Sequence, residues 1–232
     1  MKRAPKFASE AALCVAFTKW AQGEGWTVYP ESCGFDLLLV DADGHQLGVE
    51  AKLSLNLKVI QQIMPRSFDI YGVIRGPHHR AILVPEAHSE DAIVQLLKHA
   101  GVDVFSLDYR GEFQAAPRIP MLFDHNPEKL CAVPEYMPDV PAGVSGPVKL
   151  TEWKIAALRV MAALELDGEV TKATFVKHKI DYRRWISADG WLMPVGKGVW
   201  TMGKCPRFDE QHAVVYAQIL TELRASRETE AA

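Results

Sequence analysis

Three polar side chains interrupt a segment that otherwise has the apolar pattern of a buried hairpin, GFDLLLVDADGHQLGVEAKLS over residues 34–54. Asp36 precedes the first apolar run, and Glu50 and Lys52 end the second. Residues two apart on a strand project from the same face of a sheet, so Glu50 and Lys52 share a face. Carboxylates and an ammonium in such a place are suited to binding a divalent cation and handling phosphate oxygens.

The hairpin turn decides whether Asp36 joins that face. A two-residue loop at Asp43-Gly44 would set Asp36 opposite Ala51 and send the two carboxylates to opposite faces. A three-residue loop with Gly44 in the left-handed conformation would set Asp36 opposite Glu50. A glycine at the third loop position permits the second turn without forcing it. Only the second turn makes a single site.

Two carboxylates that face each other across a strand pair repel, and a divalent cation removes that conflict. We expect Asp36, Glu50 and the backbone carbonyl of Ala51 to bind Mg²⁺, which takes oxygen ligands and keeps several waters, with Mn²⁺ as a substitute. Lys52 would orient or help deprotonate the attacking water and would offset charge in the transition state. The pattern predicts hydrolysis of a phosphodiester.

The order Asp36, a spacer ending in a strand, then Glu50-Ala-Lys52 resembles the PD-(D/E)xK nuclease superfamily. Phe35 stands where that superfamily usually has a proline. The resemblance implies an α/β fold of the restriction-endonuclease-like type, with a mixed sheet flanked by helices. It also implies a Mg²⁺-dependent nuclease that leaves a 5′-phosphate on its product.

The superfamily often adds a glutamate on the preceding helix and a glutamine on the following one. Glu10 matches the glutamate, although it is also the kind of acidic residue that a first helical turn favours after a Ser9 cap. Gln61 and Gln62 are the candidates for the glutamine, with Gln61 preferred. The resemblance thus implies catalytic roles for Glu10 and Gln61.

Two longer stretches, EAKLSLNLKVIQQ and ADGWLMPVGKGVWTM, are similar to a bacterial family of uncharacterised PD-(D/E)xK-type phosphodiesterases. The two domains that contain these stretches together cover nearly the whole chain. This likeness implies a fold and a chemistry, and it supplies no substrate.

Periodicity predicts the elements that carry these residues. Alternating helical and strand patterns over residues 1–122 predict an α/β nuclease-like domain. Residues 123–147 contain five prolines and no sustained period, which is typical of a linker. Helix, helix, helix and a two-stranded ribbon follow over residues 148–232, which predicts a small winged helix-turn-helix domain closed by one more amphipathic helix.

The winged-helix prediction gives the second domain its own candidate residues. Tyr182, Arg183 and Arg184 fall in the predicted third helix, where they would contact phosphates or base edges, and Lys197 at the ribbon tip would reach a phosphate. Alternatively, Trp185 of the same helix could belong to the core of the domain. Winged helices also serve as protein-docking domains. Residues 148–204 carry ten Lys and Arg against six Asp and Glu, a weakly basic balance.

Bulk properties restrict the class of protein. The chain has 232 residues, 48% of them hydrophobic, with a net charge of −3, which is an ordinary globular balance. Without a membrane-length apolar run or a paired-cysteine motif, we expect a cytoplasmic protein with no membrane partner. The final helix could cover its own domain or pair with a second copy in a homodimer.

The sequence therefore predicts a Mg²⁺-dependent nuclease, preferably an endonuclease acting on DNA. The alternative is a non-catalytic DNA-binding or scaffolding protein that retains a nuclease-like core. The choice between DNA and RNA, the preferred substrate shape and the pathway stay open.

Overall fold

A computed structural model describes residues 7–64, 75–88, 90–116, 124–139, 142, 149–186 and 190–231. The chain divides into two compact units, Met1–Gly146 and Pro147–Ala232. Residues 124–139 of the predicted linker belong to the first of these units. The prediction that a linker over residues 123–147 separates the two domains stays a prediction.

The first unit is an α/β structure built on a mixed six-stranded sheet in the order β1-β2-β3-β5-β6-β7, as the sequence predicts for its class. β3, β5 and β6 run parallel, and the other pairs in this sheet are antiparallel. β4 and β8 form a separate pair. In chain order, the elements of this unit are α1 (Glu10–Gly23), β1 (Thr27–Pro30), β2 (Leu37–Val40), β3 (Gln46–Ala51), α2 (Leu57–Ile63), β4 (Arg75–Gly76), β5 (His79–Leu83), α3 (Ala92–His99), β6 (Val102–Leu107), β7 (Phe113–Ala116) and β8 (Lys129–Leu130).

Helix α1 is fixed to the sheet by one apolar face. It begins after Ser9, whose hydroxyl accepts a hydrogen bond from the Ala12 amide at 3.1 Å. Leu13, Phe17 and Ala21 recur at helical spacing and are fully buried. Burying a side chain such as Phe17 contributes about 1.5–3 kcal/mol. The cap and this face together fix where the first turn of α1 lies.

Strand β3 separates two hydrophobic clusters. Leu47 and Val49 belong to the cluster that includes the buried face of α1. Gly48 lies against the ring of Phe35, which belongs to the cluster with α2 and α3. Because successive side chains on a strand point to opposite faces, Glu50 lies on the same face as Gly48.

The β2–β3 hairpin has the three-residue loop that the glycine position permits. Val40 pairs with Gln46 and Leu37 pairs with Val49. The loop residue Gly44 has a φ of +86°, a left-handed conformation that a side chain would strain. This register sets Asp36 opposite Glu50, so the second of the two predicted turns is confirmed.

The segment around β8 is tied to the start of β3 by a side-chain amide. The Gln46 amide nitrogen donates to the Cys131 carbonyl at 2.9 Å, and the Gln46 amide oxygen accepts from the Cys131 backbone N–H at 3.0 Å. Gln46 is itself buried. The paired hydrogen bonds hold Cys131 in a fixed position beside the sheet.

The second unit combines helices with a three-stranded sheet in the order β10-β11-β9. Helix α4 is capped by Thr151 and ends at Gly168 in the left-handed conformation. The described elements are α4 (Glu152–Asp167), β9 (Val170–Thr171), α5 (Lys172–Lys177), β10 (Leu192–Gly196), β11 (Val199–Met202), α6 (Phe208–Gln211) and α7 (Ala213–Ala231). The first two helices and the ribbon of the predicted order are present.

The prediction of a third helix in this unit is wrong for the residues that the structure describes. Only a single 3-10 turn, Tyr182–Arg184, forms there. The Asp181 carboxylate accepts from the Arg183 amide and starts this turn. The Trp185 carbonyl then accepts from the Leu192 amide at 3.0 Å, so the chain turns toward β10 instead of continuing as a helix.

Within the described ranges, no helix combines the length and the apolar character needed to cross a membrane.

We predict that Gly48→Ala destabilises the first unit. A Cβ at this position would lie 2.7 Å from ring carbons of Phe35, too close without a shift of that ring. The expected loss is about 1–3 kcal/mol in the free energy of unfolding, measured by urea denaturation. Gly23→Ala is the matched control, because a Cβ there meets no atom within 4 Å. Equal midpoints for the two variants would contradict the prediction.

Candidate functional site

The Lys52 ammonium lies among carboxylates from three chain segments. Its Nζ is 3.0 Å from Glu50 Oε1, 3.4 Å from Glu10 Oε2 and 3.9 Å from Asp36 Oδ2. Nζ also donates a hydrogen bond to the Ala51 carbonyl at 2.8 Å. The structure thus brings together five of the residues that the sequence nominated, around one positive charge.

The strand register explains this convergence. Asp36 directly precedes β2 and Lys52 directly follows β3, whose last residue is Ala51. The Asp36 carboxylate accepts a hydrogen bond from the Ala51 amide at 2.8 Å, which links the two strand ends. The Lys52 amide donates to the Leu83 carbonyl and so keeps the chain in the sheet for one more residue. Glu10 reaches Lys52 from the first turn of α1.

Asp36 is an acid in a partly buried position. Burial raises its pKa to about 6, against the opposing hydrogen bond from the Ala51 amide. The Glu50 charge also raises this pKa, and the Lys52 charge lowers it. Because the net shift is upward, the positive charge of Lys52 does not fully offset the cost of an ionised Asp36 at this site.

Lys52 keeps its proton in spite of partial burial. Burial lowers the pKa of its ammonium, but the hydrogen bond to Glu50 and the charges of Glu50, Asp36 and Glu10 outweigh that effect, and the pKa is raised. Lys52 is therefore a cation here, and it acts as a hydrogen-bond donor.

Sequence reasoning missed a fourth carboxylate, Glu31. Its backbone amide donates to the Asp36 carbonyl at 2.8 Å, and its charge contributes to the raised pKa of Asp36. β1 pairs with β2 as far as Pro30 and Leu37, so the next residues, Glu31 and Asp36, also lie opposite each other. A predicted antiparallel pairing of the strand TVYP with LLLV would have found it.

The oxygens at this site fit a hard divalent cation. Asp36, Glu50 and the Ala51 carbonyl are the donor types that Mg²⁺ prefers. Lys52 Nζ contacts all three, which shows that they converge on one positive charge. The ligands of a metal at this point would be these oxygens and water, with the ammonium displaced to one side.

Gln61 lies on α2 at an exposed position. Gln61 and Gln62 are both exposed on α2, and within the described part of the chain no hydrogen bond joins either of them to Asp36, Glu50 or Lys52. The predicted catalytic role of Gln61 stays a prediction.

A second group of potential ligands lies in the β2–β3 loop. The ligand atoms of Asp41, Asp43 and His45 lie within 4.8 Å of one another, and over the described ranges no other trio of His, Cys, Asp or Glu side chains has this spacing. Asp41 accepts hydrogen bonds from the Asp43 amide, the His45 amide and the His45 ring. These bonds explain the cluster as a loop-closing turn.

The nominated residues of the second unit have different surroundings. Arg183 is exposed and pairs with Asp181 at 3.2 Å. Arg184 lies over two rings, 5.4 Å from the centroids of Trp153 and Trp191.

Tyr182 and Lys197 complete the nominated set. The Tyr182 ring lies 5.8 Å from the ring of Trp200 and 5.6 Å from the Lys172 ammonium. Lys197 is exposed at the turn between β10 and β11. Of the four nominated side chains, Tyr182 and Arg184 therefore pack against aromatic rings, whereas Arg183 and Lys197 are exposed to a ligand.

Comparison of the chain with protein-family models, with curated proteins and with solved structures found no match.

We predict that Asp36→Asn stabilises the protein more at high than at low pH when divalent metals are chelated. The pKa of Asp36 is about 6 in the folded state against an ordinary value of 3.8. Between these two pH values the folded protein binds one more proton than the unfolded chain, so its stability falls as pH rises through the folded-state pKa. Asparagine does not ionise, so the variant does not lose this stability. The gain in unfolding free energy should be about 1–3 kcal/mol above pH 7 and near zero at about pH 4, measured by urea denaturation.

Asp103 has a pKa raised to about 6 by burial, and its titration cancels because it is present in both proteins. Glu24→Gln, at an exposed position, controls for simple loss of a negative charge. A gain of equal size at both pH values would contradict the assigned cause.

We predict that Arg184→Ala lowers the stability of the second unit while Arg183→Ala does not. Each cation–π contact of an exposed arginine contributes about 0.5–1 kcal/mol, and Arg184 makes two. Exposed ion pairs such as that of Arg183 contribute little. Thermal unfolding of both variants tests the difference, and equal midpoints would show that the two ring contacts do not hold Arg184.

Proposed function

We propose that the protein is a metal-dependent phosphodiesterase that cleaves nucleic acid, with DNA as the favoured substrate. In this proposal the first unit is a restriction-endonuclease-like core. The residue pattern of Asp36, Glu50 and Lys52 and their convergence at the end of two adjacent strands support it. These three residues form the core of the resemblance to the PD-(D/E)xK pattern.

The convergence of the Asp36, Glu50 and Ala51 oxygens around Lys52 Nζ is the observation that carries the proposal, and the raised pKa of Asp36 supports it. A carboxyl that burial holds near a pKa of about 6 is half protonated near that pH, and a bound divalent cation would favour its ionised form. Residues that serve only to hold strands together would be more stable as apolar side chains. The site therefore retains a chemically costly group, which is typical of functional sites.

Each residue has a defined role in this chemistry. Asp36, Glu50 and the Ala51 carbonyl would hold Mg²⁺ or Mn²⁺, which when bound supplies charge neutralisation at the scissile phosphate and lowers the pKa of a coordinated water. Lys52, protonated and hydrogen-bonded to Glu50, donates to an oxygen of the phosphate or of the attacking water. Glu10 keeps the ammonium aimed at the site from α1.

The second unit would place the substrate. We include in the proposal a winged-helix-like role for it, supported by its first two helices, α4 and α5, and by the ribbon of β10 and β11. Arg183 and Lys197 are its exposed cations for phosphate contacts, whereas Arg184 is engaged by two tryptophan rings. Helix α7 would either cover this unit or mediate a homodimer.

We predict that Mg²⁺ and Mn²⁺ support cleavage of at least one member of a panel of single-stranded, nicked, branched and duplex DNA and RNA. Asp36→Ala and Lys52→Ala should each reduce the rate by about 100-fold or more, because they remove a metal ligand and the transition-state donor. Lys19→Ala, exposed on α1, is the matched control and should cleave at the native rate.

Metal binding gives a second readout that does not depend on finding the substrate. Mg²⁺ should raise the unfolding midpoint of the native protein and of Lys19→Ala, but not that of Asp36→Ala, since a ligand that binds only the folded state stabilises it. One specific observation favours a non-catalytic alternative: Lys52 already contacts the carboxylates of Glu10, Asp36 and Glu50. No cleavage and no metal shift, with nucleic-acid binding that survives both substitutions, would establish that alternative.

A further inference from the structure

Cys33 and Cys131, which are far apart in the chain, are brought close together by the fold. The Cys33 thiol donates to the Ala132 carbonyl with an Sγ–O distance of 3.4 Å. Ala132 directly follows Cys131, so this hydrogen bond places the Cys33 thiol against the Cys131–Ala132 segment, and the two thiols act on each other's pKa. Both are free thiols, with Cys33 exposed and Cys131 partly buried. Two thiols brought this close, one of them open to solvent, form a dithiol that a soluble oxidant can reach.

The surroundings hold this pair in position. The two hydrogen bonds from the Gln46 side chain fix the backbone of Cys131. Cys33 belongs to the short connection between β1 and β2, which the hydrogen bond from the Glu31 amide to the Asp36 carbonyl closes. Neither cysteine can move far from the other without breaking these bonds.

Arg80 places a buried positive charge next to the pair. Its side chain is only 6% exposed, and its guanidinium lies 5.3 Å from the centroid of the Phe35 ring. Nη1 donates to the Ile63 carbonyl, but buried Nε has no hydrogen-bond partner. Among the described residues no carboxylate forms an ion pair with Arg80. The Cys33 side chain and burial raise the pKa of Cys131, and the Arg80 charge opposes this shift without reversing it.

The other two cysteines provide an internal contrast. Cys14 and Cys205 are buried, and burial raises the pKa of each thiol to about 12. The hydrogen bond from Cys131 instead lowers the pKa of Cys33. Reactivity toward a disulfide follows thiolate character and access, so Cys33 is the thiol in this chain best placed to react first.

We propose that Cys33 and Cys131 are a redox-active pair that forms a reversible disulfide with a small-molecule disulfide as the oxidant. The Cys33 thiolate attacks one sulfur of the oxidant, forms a mixed disulfide and expels the first small thiolate. Cys131 then attacks the Cys33 sulfur as a thiolate, closes the protein disulfide and expels the second. Two protein thiols are oxidised, one disulfide is reduced to two thiols, and the two protons pass to the expelled thiolates.

A disulfide between Cys33 and Cys131 would affect the position of Asp36, because Cys33 is close to Asp36 in the chain. Cys33 is separated from Asp36 by Gly34 and Phe35 alone, and the Phe35 ring already lies against Arg80 and Gly48. Joining Cys33 to Cys131 would tie this connection to the segment after β8. The oxidised form should therefore hold the Asp36 loop more rigidly, and a disulfide across so long a stretch of chain should raise thermal stability.

The test starts from reduced full-length protein with metals chelated and uses oxidised glutathione as the probe. After incubation, free thiols are alkylated, and the protein is digested and analysed by mass spectrometry without reduction. We expect a cross-linked pair of peptides that contains Cys33 and Cys131, a fall from four alkylated cysteines to two, and reversal by a dithiol reductant. The unfolding midpoint of the oxidised form should rise by several degrees over the reduced form.

Cys33→Ser, at an exposed position that should still fold, must abolish both the cross-link and the rise in midpoint. Cys131→Ser should accumulate a mixed disulfide with glutathione on Cys33. The proposal is overturned if native protein stops at that mixed disulfide, if the bond joins two chains, or if Cys14 or Cys205 is consumed as fast as Cys33. None of these readouts depends on nuclease activity.

Discussion

The pairing register of β2 with β3 is the constraint on which the rest of the first unit depends. A left-handed Gly44 sets this register, and with it the identity of the residue opposite Glu50. A slip by one position would move Asp36 to the other face of the sheet and would bring the apolar side chains of β2 into the wrong layer. The hydrophobic pattern and the acidic pair are therefore stabilised by one and the same turn.

The charges at the site follow from that constraint. Antiparallel pairing on both sides of Asp36 aligns Glu31, Asp36 and Glu50 across three strands, and like charges in such a row repel. Lys52 Nζ lies within 4 Å of two of them and also of Glu10. The Lys52 ammonium does not offset burial and the neighbouring negative charges at Asp36, so the pKa of Asp36 is raised.

Much of this could be predicted from the sequence, because it depends on local patterns. The period of Leu13, Phe17 and Trp20 predicts α1, and a glycine in the loop permits the correct hairpin. Contacts between distant segments leave no such local pattern. The meeting of Cys33 with Cys131 is of this kind, since it requires a segment of low periodicity to return to the sheet.

The failed prediction of a third helix has a similar physical reason. Tyr182, Arg183 and Arg184 are compatible with a helix by local preference, but Trp185 is fully buried and its carbonyl bonds to Leu192. A tertiary contact therefore overrides propensity, as it often does for short segments.

The contrast between two acids shows why a nearby cation is not enough to keep Asp36 ionised. Arg207 beside Asp209 holds the pKa of that carboxyl below its ordinary value. Asp36 also has a cation near it and accepts an amide hydrogen bond as well, yet its pKa is raised, because burial and neighbouring acids outweigh both. The Asp36 site therefore carries a residual cost for its ionised form, which the cation and the amide beside it do not remove.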